Sequence, residues 1–273
     1  MQDSRPLVPV RINRVGVLEV RIHIPYTSDS YFISNAFTSI LFPVDVKRRG
    51  AHLPEVAPQV SYPEGKVTEL QELFTVSEHV STGLKGGQAE PPEVSVQAEV
   101  TEFATGRSFT VYSESLGGKI SGYGLEMVGI NACPCAQATI ARKTSVIHAS
   151  SSAGSDIISH NQRIRVTVMV KSETLVPFTD FFSIVSGASK GPLSTVLTPD
   201  AEADLLLSIH RRPAFVEDVA RDIAAGIAGI SQIPAKDKLK VTCRSMESIH
   251  PHDLYAEIDS TFGEIRNSLK NAL

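Results

Sequence analysis

The chain contains few cysteines, and Cys133, Cys135 and Cys243 are the only three among its 273 residues. An odd, sparse set of this kind excludes a disulfide framework and favours a reduced, cytoplasmic setting. In that setting thiols serve as metal ligands, reactive groups or core residues. Cys243 lies inside a predicted strand and is most simply a core residue.

Long apolar runs and an excess of basic residues are also missing. No apolar segment reaches the roughly 18 residues of a membrane span, and the first residues lack the apolar stretch of a secretory signal. The net charge is −4 and the pI is about 6.1, whereas a general nucleic-acid or membrane-surface binder needs a basic face. No glycine-rich phosphate loop of the Walker or dinucleotide type occurs. We therefore expect neither nucleic acid nor a membrane as a partner.

Strand and helix patterns are present in both halves of the chain. Hydrophobic residues make up 42% of it, which is enough for a substantial core. In the first half, segments in which apolar and polar residues alternate, or which are rich in strand-forming residues, flank the segment 67–84. Apolar residues in 67–84 recur at helical spacing. The predicted strands there are 14–24, 37–46, 94–103 and 109–114. The glycine-rich segment 116–123 predicts a turn.

The second half repeats this outline. Segments 163–170 and 238–243 predict strands, whereas the remaining patterned segments predict helices. These helices are 176–185, 213–230 and 261–273. The Ser- and Ala-rich segment 138–159 predicts an inserted surface loop. The repeated order predicts an α+β fold with two similar modules, at 1–135 and 136–273.

The pair Cys133-Pro134-Cys135 is the first candidate for chemistry. Thiolates are strong ligands for zinc or ferrous iron. The single intervening residue does not match a zinc knuckle and there is no second cysteine pair, so a closed structural zinc site is not expected. A strained disulfide or simple burial remain alternatives.

Two further polar clusters adjoin predicted strands. One cluster, Ser159-His160-Asn161-Gln162-Arg163, precedes a predicted strand. A solvated loop without a function is the simplest interpretation of it. His160 could bind a metal and Arg163 could bind a phosphate with two parallel hydrogen bonds. The cluster with Glu247, His250 and His252 follows a strand and offers a carboxylate and two imidazoles for acid–base work, with a structural His-Pro turn as the alternative.

The acidic candidates have weaker signals. Asp200 and Glu202 lie in PDAEAD, which is typical of a helix N-terminus. Glu217 lies in AFVEDVARDI, for which a solvated helix face is the usual explanation. His210 is one of five histidines outside the clusters that are more often structural than functional.

Taken together, six stretches resemble the type IB GTP cyclohydrolase family. They occur in the family's order and span nearly the whole chain: RVGV, RGAHLPEV, CPC, SHNQR, AFVEDVARD and ESIHPHDLYAE. The interval from Cys133 to His160 (160 − 133 = 27 residues) is longer than in bacterial members. This insertion resembles the archaeal, MptA-like branch, which opens the methanopterin pathway.

The resemblance implies the tunnelling fold (T-fold) with two tandem modules. Each module has the order strand, strand, helix, helix, strand, strand. Family members assemble into barrels with active sites between subunits, so a homodimer or larger homo-oligomer is expected. The implied substrate is GTP.

The resemblance also implies one divalent metal per subunit. Its ligands would be Cys133, His160 and Glu202, which lies thirteen residues before Phe215 (215 − 202 = 13), with Asp200 as the reserve. Fe2+ is the expected ion, and Zn2+ or Mn2+ suit the same donors.

The implied reaction opens the imidazole ring of guanine, releases formate and recloses the ring as a pterin. Water activated by the metal would attack C8, and His250 or His252 would protonate the ring nitrogen. Glu247 would accept hydrogen bonds from the guanine N1–H and exocyclic amine. Cys135 is a further catalytic candidate. Other substrate-binding candidates are Arg163 and Glu217, with Lys47, Arg48 and Arg49 for the triphosphate.

Three outcomes remain open from the sequence. The archaeal branch makes 7,8-dihydroneopterin 2′,3′-cyclic phosphate, whereas bacterial members release 7,8-dihydroneopterin triphosphate for folate or modified-nucleoside synthesis. A more distant alternative is a non-catalytic metal or thiol sensor that uses the CPC thiols and leaves GTP unchanged.

Overall fold

The structure is a computed structural model that describes most of the chain. The described residues are 14–21, 24, 30–43, 69–83, 92–102, 104–147, 157–189, 193 and 197–271. The motif RGAHLPEV and the basic residues Lys47, Arg48 and Arg49 lie outside this part, as does 148–156 of the predicted inserted loop.

The described strands form one antiparallel sheet in which each strand pairs with the next along the chain. This order arises when neighbouring alternating segments pair across their connections. The eight strands are β1 Arg14–Arg21, β2 Tyr31–Pro43, β3 Glu93–Glu102, β4 Ser108–Leu116, β5 Lys119–Ala132, β6 Asn161–Lys171, β7 Lys238–Met246 and β8 Leu254–Thr261.

Helices connect several of these strands. A 3-10 helix and α1 lie between β2 and β3, α2 lies between β5 and β6, three helices lie between β6 and β7, and α6 follows β8. The α+β class predicted from the sequence is therefore confirmed. The helices are the 3-10 helix Leu70–Thr75, α1 Val76–Gly83, α2 Pro134–Ile147, α3 Phe178–Ala188, α4 Pro199–Arg211, α5 Val216–Ala228 and α6 Phe262–Asn271.

One face of the sheet carries the hydrophobic core. Every second residue of β4, β6 and β7 is buried, as the alternation in the sequence predicts. Phe74 of the 3-10 helix packs against three aromatic rings, at centroid distances of 4.8, 5.3 and 5.7 Å from Tyr123, Phe178 and Phe181. These contacts hold the 3-10 helix and α3 against β5.

The glycine-rich segment 116–123 is mostly strand, so the prediction of a turn over its whole length was wrong. The turn is confined to Gly117 and Gly118, whose φ angles of +64° and +74° suit a tight hairpin. Position 124, within β5, requires glycine because an added Cβ would collide with the Val168 carbonyl oxygen of β6. Glycine thus has two roles in this segment: Gly117 and Gly118 form the turn, and Gly124 allows β5 and β6 to approach closely.

The predicted surface loop 138–159 was also wrong in its first part. Residues up to Ile147 belong to α2, since the Ala, Gln, Ile, Lys and Arg side chains that follow Pro134 favour a helix. Strand β8 was not recognised from its residue pattern, although it pairs with β7 from Leu254 to Thr261. Of the helices in the described part of the chain, none combines the length and apolar character that a membrane span requires.

Arg266 of α6 caps the C-terminal end of α5. Its guanidinium donates hydrogen bonds to the carbonyl oxygens of Ala228, Ile230 and Ile233 at 2.8, 2.7 and 2.9 Å. The same group lies 5.4 Å from the centroid of the Phe262 ring. The guanidinium thus satisfies the last carbonyl group of α5 and two carbonyl groups of the segment that follows it.

Replacing Arg266 with methionine is expected to lower the free energy of unfolding by about 2–3 kcal/mol, since three carbonyl groups lose their donor. Urea-induced unfolding measures this change. The matched control is Arg221→Met, which removes an exposed ion pair with Asp218 inside one helix and should cost less than about 0.5 kcal/mol. Equal unfolding midpoints for the two variants would contradict the prediction.

Candidate functional site

The CPC and SHNQR motifs meet where β5 ends and β6 begins. The last residue pair of these strands is Ala132 and Asn161. One step further, the backbone N–H of Cys133 donates to the carbonyl oxygen of His160 at 3.2 Å. Two residues separated by 27 positions (160 − 133) are therefore adjacent. The sequence singled out both, and the structure brings them together.

The two cysteine side chains of the CPC motif lie side by side. Their Sγ atoms are 3.3 Å apart, and both are free thiols, with Cys133 half-buried and Cys135 exposed. The hydrogen bond with Cys133 raises the pKa of the Cys135 thiol above its usual value. The pair therefore presents sulfur donors at the surface beside His160.

The ESIHPH cluster reaches the same end of the sheet because β7 pairs with β6. Arg163 of β6 is the partner of Met246, the last residue of β7. The Nδ1 atom of His160 lies 3.3 Å from Ser248 Oγ. Ring centroids of His160 and His250 are 6.3 Å apart in an edge-to-face arrangement.

His252 extends this histidine group. Its ring stacks on that of His250 with a centroid distance of 5.4 Å and an interplanar angle of 22°. His250 and His252 are exposed, while His160 is half-buried. Three imidazoles thus lie in a row from the start of β6 toward the solvent. They supply proton donors and acceptors within one small region.

Glu247 is held by its neighbour in β7. Ser245, which is buried, donates a hydrogen bond from Oγ to Glu247 Oε1 at 2.8 Å. This contact fixes one carboxylate oxygen of Glu247. Arg163 is exposed, and strand alternation places its side chain on the sheet face opposite to Ser245.

The predicted carboxylates occupy two helix starts. Asp200 and Glu202 are exposed in the first turn of α4, where Thr198 Oγ1 caps the helix by accepting from the Ala201 backbone N–H at 3.3 Å. Glu217 is exposed in the first turn of α5. The helix N-terminus predicted for PDAEAD is therefore observed.

Cys133 and His160 fit a transition metal by the chemistry of their donors, since thiolate and imidazole suit Fe2+ and Zn2+. Among the described residues, however, no group of three or more His, Cys, Asp or Glu is arranged to hold a metal ion. The described chain thus brings together two of the three predicted ligands, and Glu202 does not complete a group with them.

A hydrogen-bond network around His210 holds this end of the sheet in place. Gln137 Nε2 donates to the carbonyl oxygens of Ile157 and His210 at 2.6 and 2.7 Å. His210 is 2% exposed, and its Nε2 atom lies 2.9 Å from the Ser159 carbonyl oxygen. Ser159 Oγ in turn donates to the Cys133 carbonyl oxygen at 3.1 Å. The structural interpretation of His210 is therefore consistent with its burial.

Asn131 ties the same region to the start of α5. Its Nδ2 donates to the Ala214 carbonyl oxygen at 2.5 Å, and its Oδ1 accepts from the Ala132 backbone N–H at 2.9 Å. The only available signal in the sequence was a polar residue at a strand end, next to CPC. That signal does not reveal a partner 83 positions away.

Thiol labelling separates the CPC cysteines from Cys243. Burial raises the pKa of the Cys243 thiol to about 12, so almost no reactive thiolate forms there near neutral pH. After a chelator has removed any bound metal, we expect iodoacetamide to modify Cys133 and Cys135 in the folded protein and Cys243 only in urea. Intact-mass measurements should show two adducts before unfolding and three after it. Three adducts on the native protein would contradict this assignment.

Comparisons with known proteins agree with the motifs gathered at this end of the sheet. The family model described as Type I GTP cyclohydrolase folE2 matches residues 1–256. The GTP cyclohydrolase MptA of Thermoplasma acidophilum is 29% identical over 283 residues, covering 97% of this chain and 96% of that protein. The Aeropyrum pernix protein of the same name is 28% identical, with coverage of 98% and 97%.

A third relative has similar coverage. The GTP cyclohydrolase MptA of Methanocaldococcus jannaschii is 26% identical over 309 residues, covering 98% of this chain and 97% of that protein. The match to the family model covers residues 1–256. Since this match extends over most of the chain, the protein belongs to the type I GTP cyclohydrolase folE2 family.

Proposed function

We propose that this chain is a GTP cyclohydrolase that opens the imidazole ring of guanine, releases C8 as formate and recloses the ring as a pterin. The observation that carries the proposal is the meeting of CPC, SHNQR and ESIHPH at one end of the sheet. Relatives named GTP cyclohydrolase MptA match nearly the full chain. We further place the protein in the type IB, MptA-like branch and thus in methanopterin biosynthesis.

The proposal includes the T-fold and its assembly. The order of β1, β2, α1, β3 and β4, followed by four more strands with their helices, supports two tandem modules. The outer strands β1 and β8 each pair on one side only within the described sheet. Unpaired edges of this kind suit extension of the sheet by another subunit. A homo-oligomer is therefore part of the proposal. With four strands in each module, the proposed boundary lies in the β4–β5 turn at Gly117 and Gly118 and not near residue 135, because β5 ends at Ala132 and would otherwise fall in the first module.

The proposed enzyme uses one divalent ion per subunit, Fe2+ in preference to Zn2+ or Mn2+. Cys133 and His160 would hold it, with Glu202 as the expected third ligand and Asp200 as the reserve. When bound, such an ion lowers the pKa of a coordinated water toward neutrality and so supplies a nucleophile for C8. The adjacency of Cys133 and His160 supports this assignment.

The remaining residues have roles in binding and proton transfer. Glu247, fixed by Ser245, accepts hydrogen bonds from the guanine N1–H and exocyclic amine. Adenine has an acceptor in place of N1–H, so this carboxylate selects guanine. The His250 ring lies near that of His160, and the His252 ring stacks on that of His250. One of these two imidazoles, His250 or His252, donates the proton that the purine nitrogen takes up as the ring opens.

Three assignments follow the family pattern. Cys135 lies beside Cys133 and serves as a second catalytic thiol. Arg163 binds the triphosphate, and Glu217 of the FVED motif binds substrate. Because Arg163 and Glu217 are exposed, single substitutions at these positions should leave the fold unchanged and affect only the KM or the turnover of GTP.

An anaerobic GTP assay with Fe2+, Zn2+ and Mn2+ tests the function. We expect formate release with at least one ion, and phosphorus NMR should show a cyclic phosphodiester, the signal of 7,8-dihydroneopterin 2′,3′-cyclic phosphate. Triphosphate signals would instead assign the bacterial-type product. If no ion supports formate release, the cyclohydrolase assignment is wrong.

A further inference from the structure

Gln162 of the HNQR motif is buried with an unused hydrogen-bond acceptor. Its side chain is 8% exposed. Within the part of the chain that the structure describes, its Oε1 atom has no hydrogen-bond partner and almost no contact with solvent. Buried side-chain polar atoms in native proteins nearly always have a partner, because an unmet acceptor loses its hydration without compensation.

Another glutamine of this chain shows the usual arrangement. Gln71 donates from Nε2 to the Val176 carbonyl oxygen at 3.2 Å, and its Oε1 accepts from the Phe178 backbone N–H at 2.5 Å. Both ends of its amide are therefore used to hold the start of α3. In the described chain, by contrast, Gln162 Oε1 has no hydrogen-bond partner, so this oxygen is available to a ligand.

Gln162 and Glu247 lie at the same end of the β6–β7 ladder. Ile164 is the partner of Ser245, and Arg163 is the partner of Met246, which is the last pair of the ladder. Gln162 and Glu247 each lie one residue beyond that pair. Because alternate residues of a strand share a face, Gln162 lies on the same sheet face as Ser245. The Ser245 hydroxyl holds Glu247. An amide oxygen without a partner in the described chain and a carboxylate held by a hydroxyl thus lie at the same end of two paired strands.

We propose that Gln162 is a specificity-determining residue that accepts a hydrogen bond from the exocyclic amine of guanine. This inference rests on the proposed GTP cyclohydrolase function. Guanine presents three N–H bonds on this edge, one at N1 and two on the amine. The Glu247 carboxylate accepts N1–H and one amine N–H, and the second amine N–H requires another acceptor.

Gln162 Oε1 is the acceptor that fits this requirement. The terminal torsion of a glutamine side chain is soft, so the amide can turn toward a base that enters beside Glu247. Binding then gives the oxygen the partner that it lacks in the free protein. A purine without the amine, such as the hypoxanthine of ITP, leaves this oxygen unpaired and binds less well.

The test compares GTP and ITP as substrates of the metal-loaded enzyme. Gln162→Met keeps the length of the side chain and removes both polar atoms. We expect kcat/KM for GTP to fall by about 10- to 100-fold and that for ITP to change by less than about threefold. The melting temperature should stay equal to that of the unmodified protein or rise, because an unmet buried acceptor has been removed.

Gln71→Met is the matched control. It should lower the melting temperature and leave the ratio of the two kcat/KM values unchanged, since Gln71 is hydrogen-bonded only within the fold. A Gln162→Met protein that melts clearly lower, or that loses GTP and ITP activity equally, overturns the inference while the cyclohydrolase assignment stands. An unmodified protein that releases no formate from GTP overturns the proposed function itself.

Discussion

Replacing Cys133 with alanine is expected to abolish binding of the divalent ion proposed for this site, and with it nearly all formate release from GTP. Cys133 is adjacent to His160 through a backbone hydrogen bond, and its thiolate is the strongest donor expected for Fe2+ or Zn2+ at this end of the sheet. Losing the metal costs several kcal/mol of barrier lowering, so turnover should fall by about a thousandfold or more.

Two measurements check this expectation separately. Elemental analysis of the purified protein should give about one ion per chain before the substitution and almost none after it, as a three-ligand site requires. Circular dichroism should show the same secondary structure in both proteins, because Cys133 lies at a half-buried strand end. The first measurement needs no substrate, so it tests the ligand independently of the reaction.

Cys243→Ala is the matched control for the loss of a thiol. Cys243 is buried within β7, so its replacement should lower the stability of the fold but leave the metal content unchanged. If Cys133→Ala retained its ion, Cys133 would have to be withdrawn as a ligand. If Cys133→Ala retained the ion and His160→Ala lost it, the metal would be assigned to His160 together with donors other than Cys133.

The substitution Glu247→Gln is expected to lower kcat/KM for GTP by about 100-fold or more, because a charged acceptor of two N–H groups is replaced by a neutral amide. The structure shows one hydrogen bond to this carboxylate, from Ser245, which the amide oxygen can still accept. The melting temperature should therefore remain the same. Steady-state kinetics with GTP and a thermal unfolding scan measure the two effects.

Glu257→Gln provides the control for a carboxylate outside the site. Glu257 lies on β8, is exposed, and pairs with Lys240 and Tyr255 on the sheet surface. Exposed pairs contribute little to stability, and this position is not expected to contact GTP. Normal turnover in Glu247→Gln, or equal losses in both variants, would rule out Glu247 as the guanine anchor.

Local sequence patterns predicted most of the secondary structure. The alternation in 163–170 and 238–243 corresponds to β6 and β7, and the spacing in 213–230 corresponds to α5. Errors occurred where composition was ambiguous. Segment 116–123 was rich in glycine but belongs largely to β5, and the start of 138–159 was rich in small residues but belongs to α2. In both places tertiary pairing or helix propensity outweighed the loop-like composition.

The candidate site was predicted from the types of its residues and from the family resemblance. Cysteine, histidine and glutamate have the chemistry for metal binding and proton transfer wherever they occur in a chain. Their proximity, however, depends on which strands pair. Only the pairing of β5, β6 and β7 brings Cys133, His160 and Glu247 to one end of the sheet.

Sequence patterns were sufficient to predict the α+β class, most of the strands and helices, and the side chains proposed for the reaction. These features follow from local periodicity and side-chain chemistry, which need no knowledge of distant contacts. Three features of the described chain depend on tertiary contacts. Gln162 Oε1 has no hydrogen-bond partner, and His210 is buried against Ser159. Glu202 does not form a metal-ligand group with Cys133 and His160. Burial, strand register and hydrogen-bond partners arise from contacts between residues far apart in the sequence.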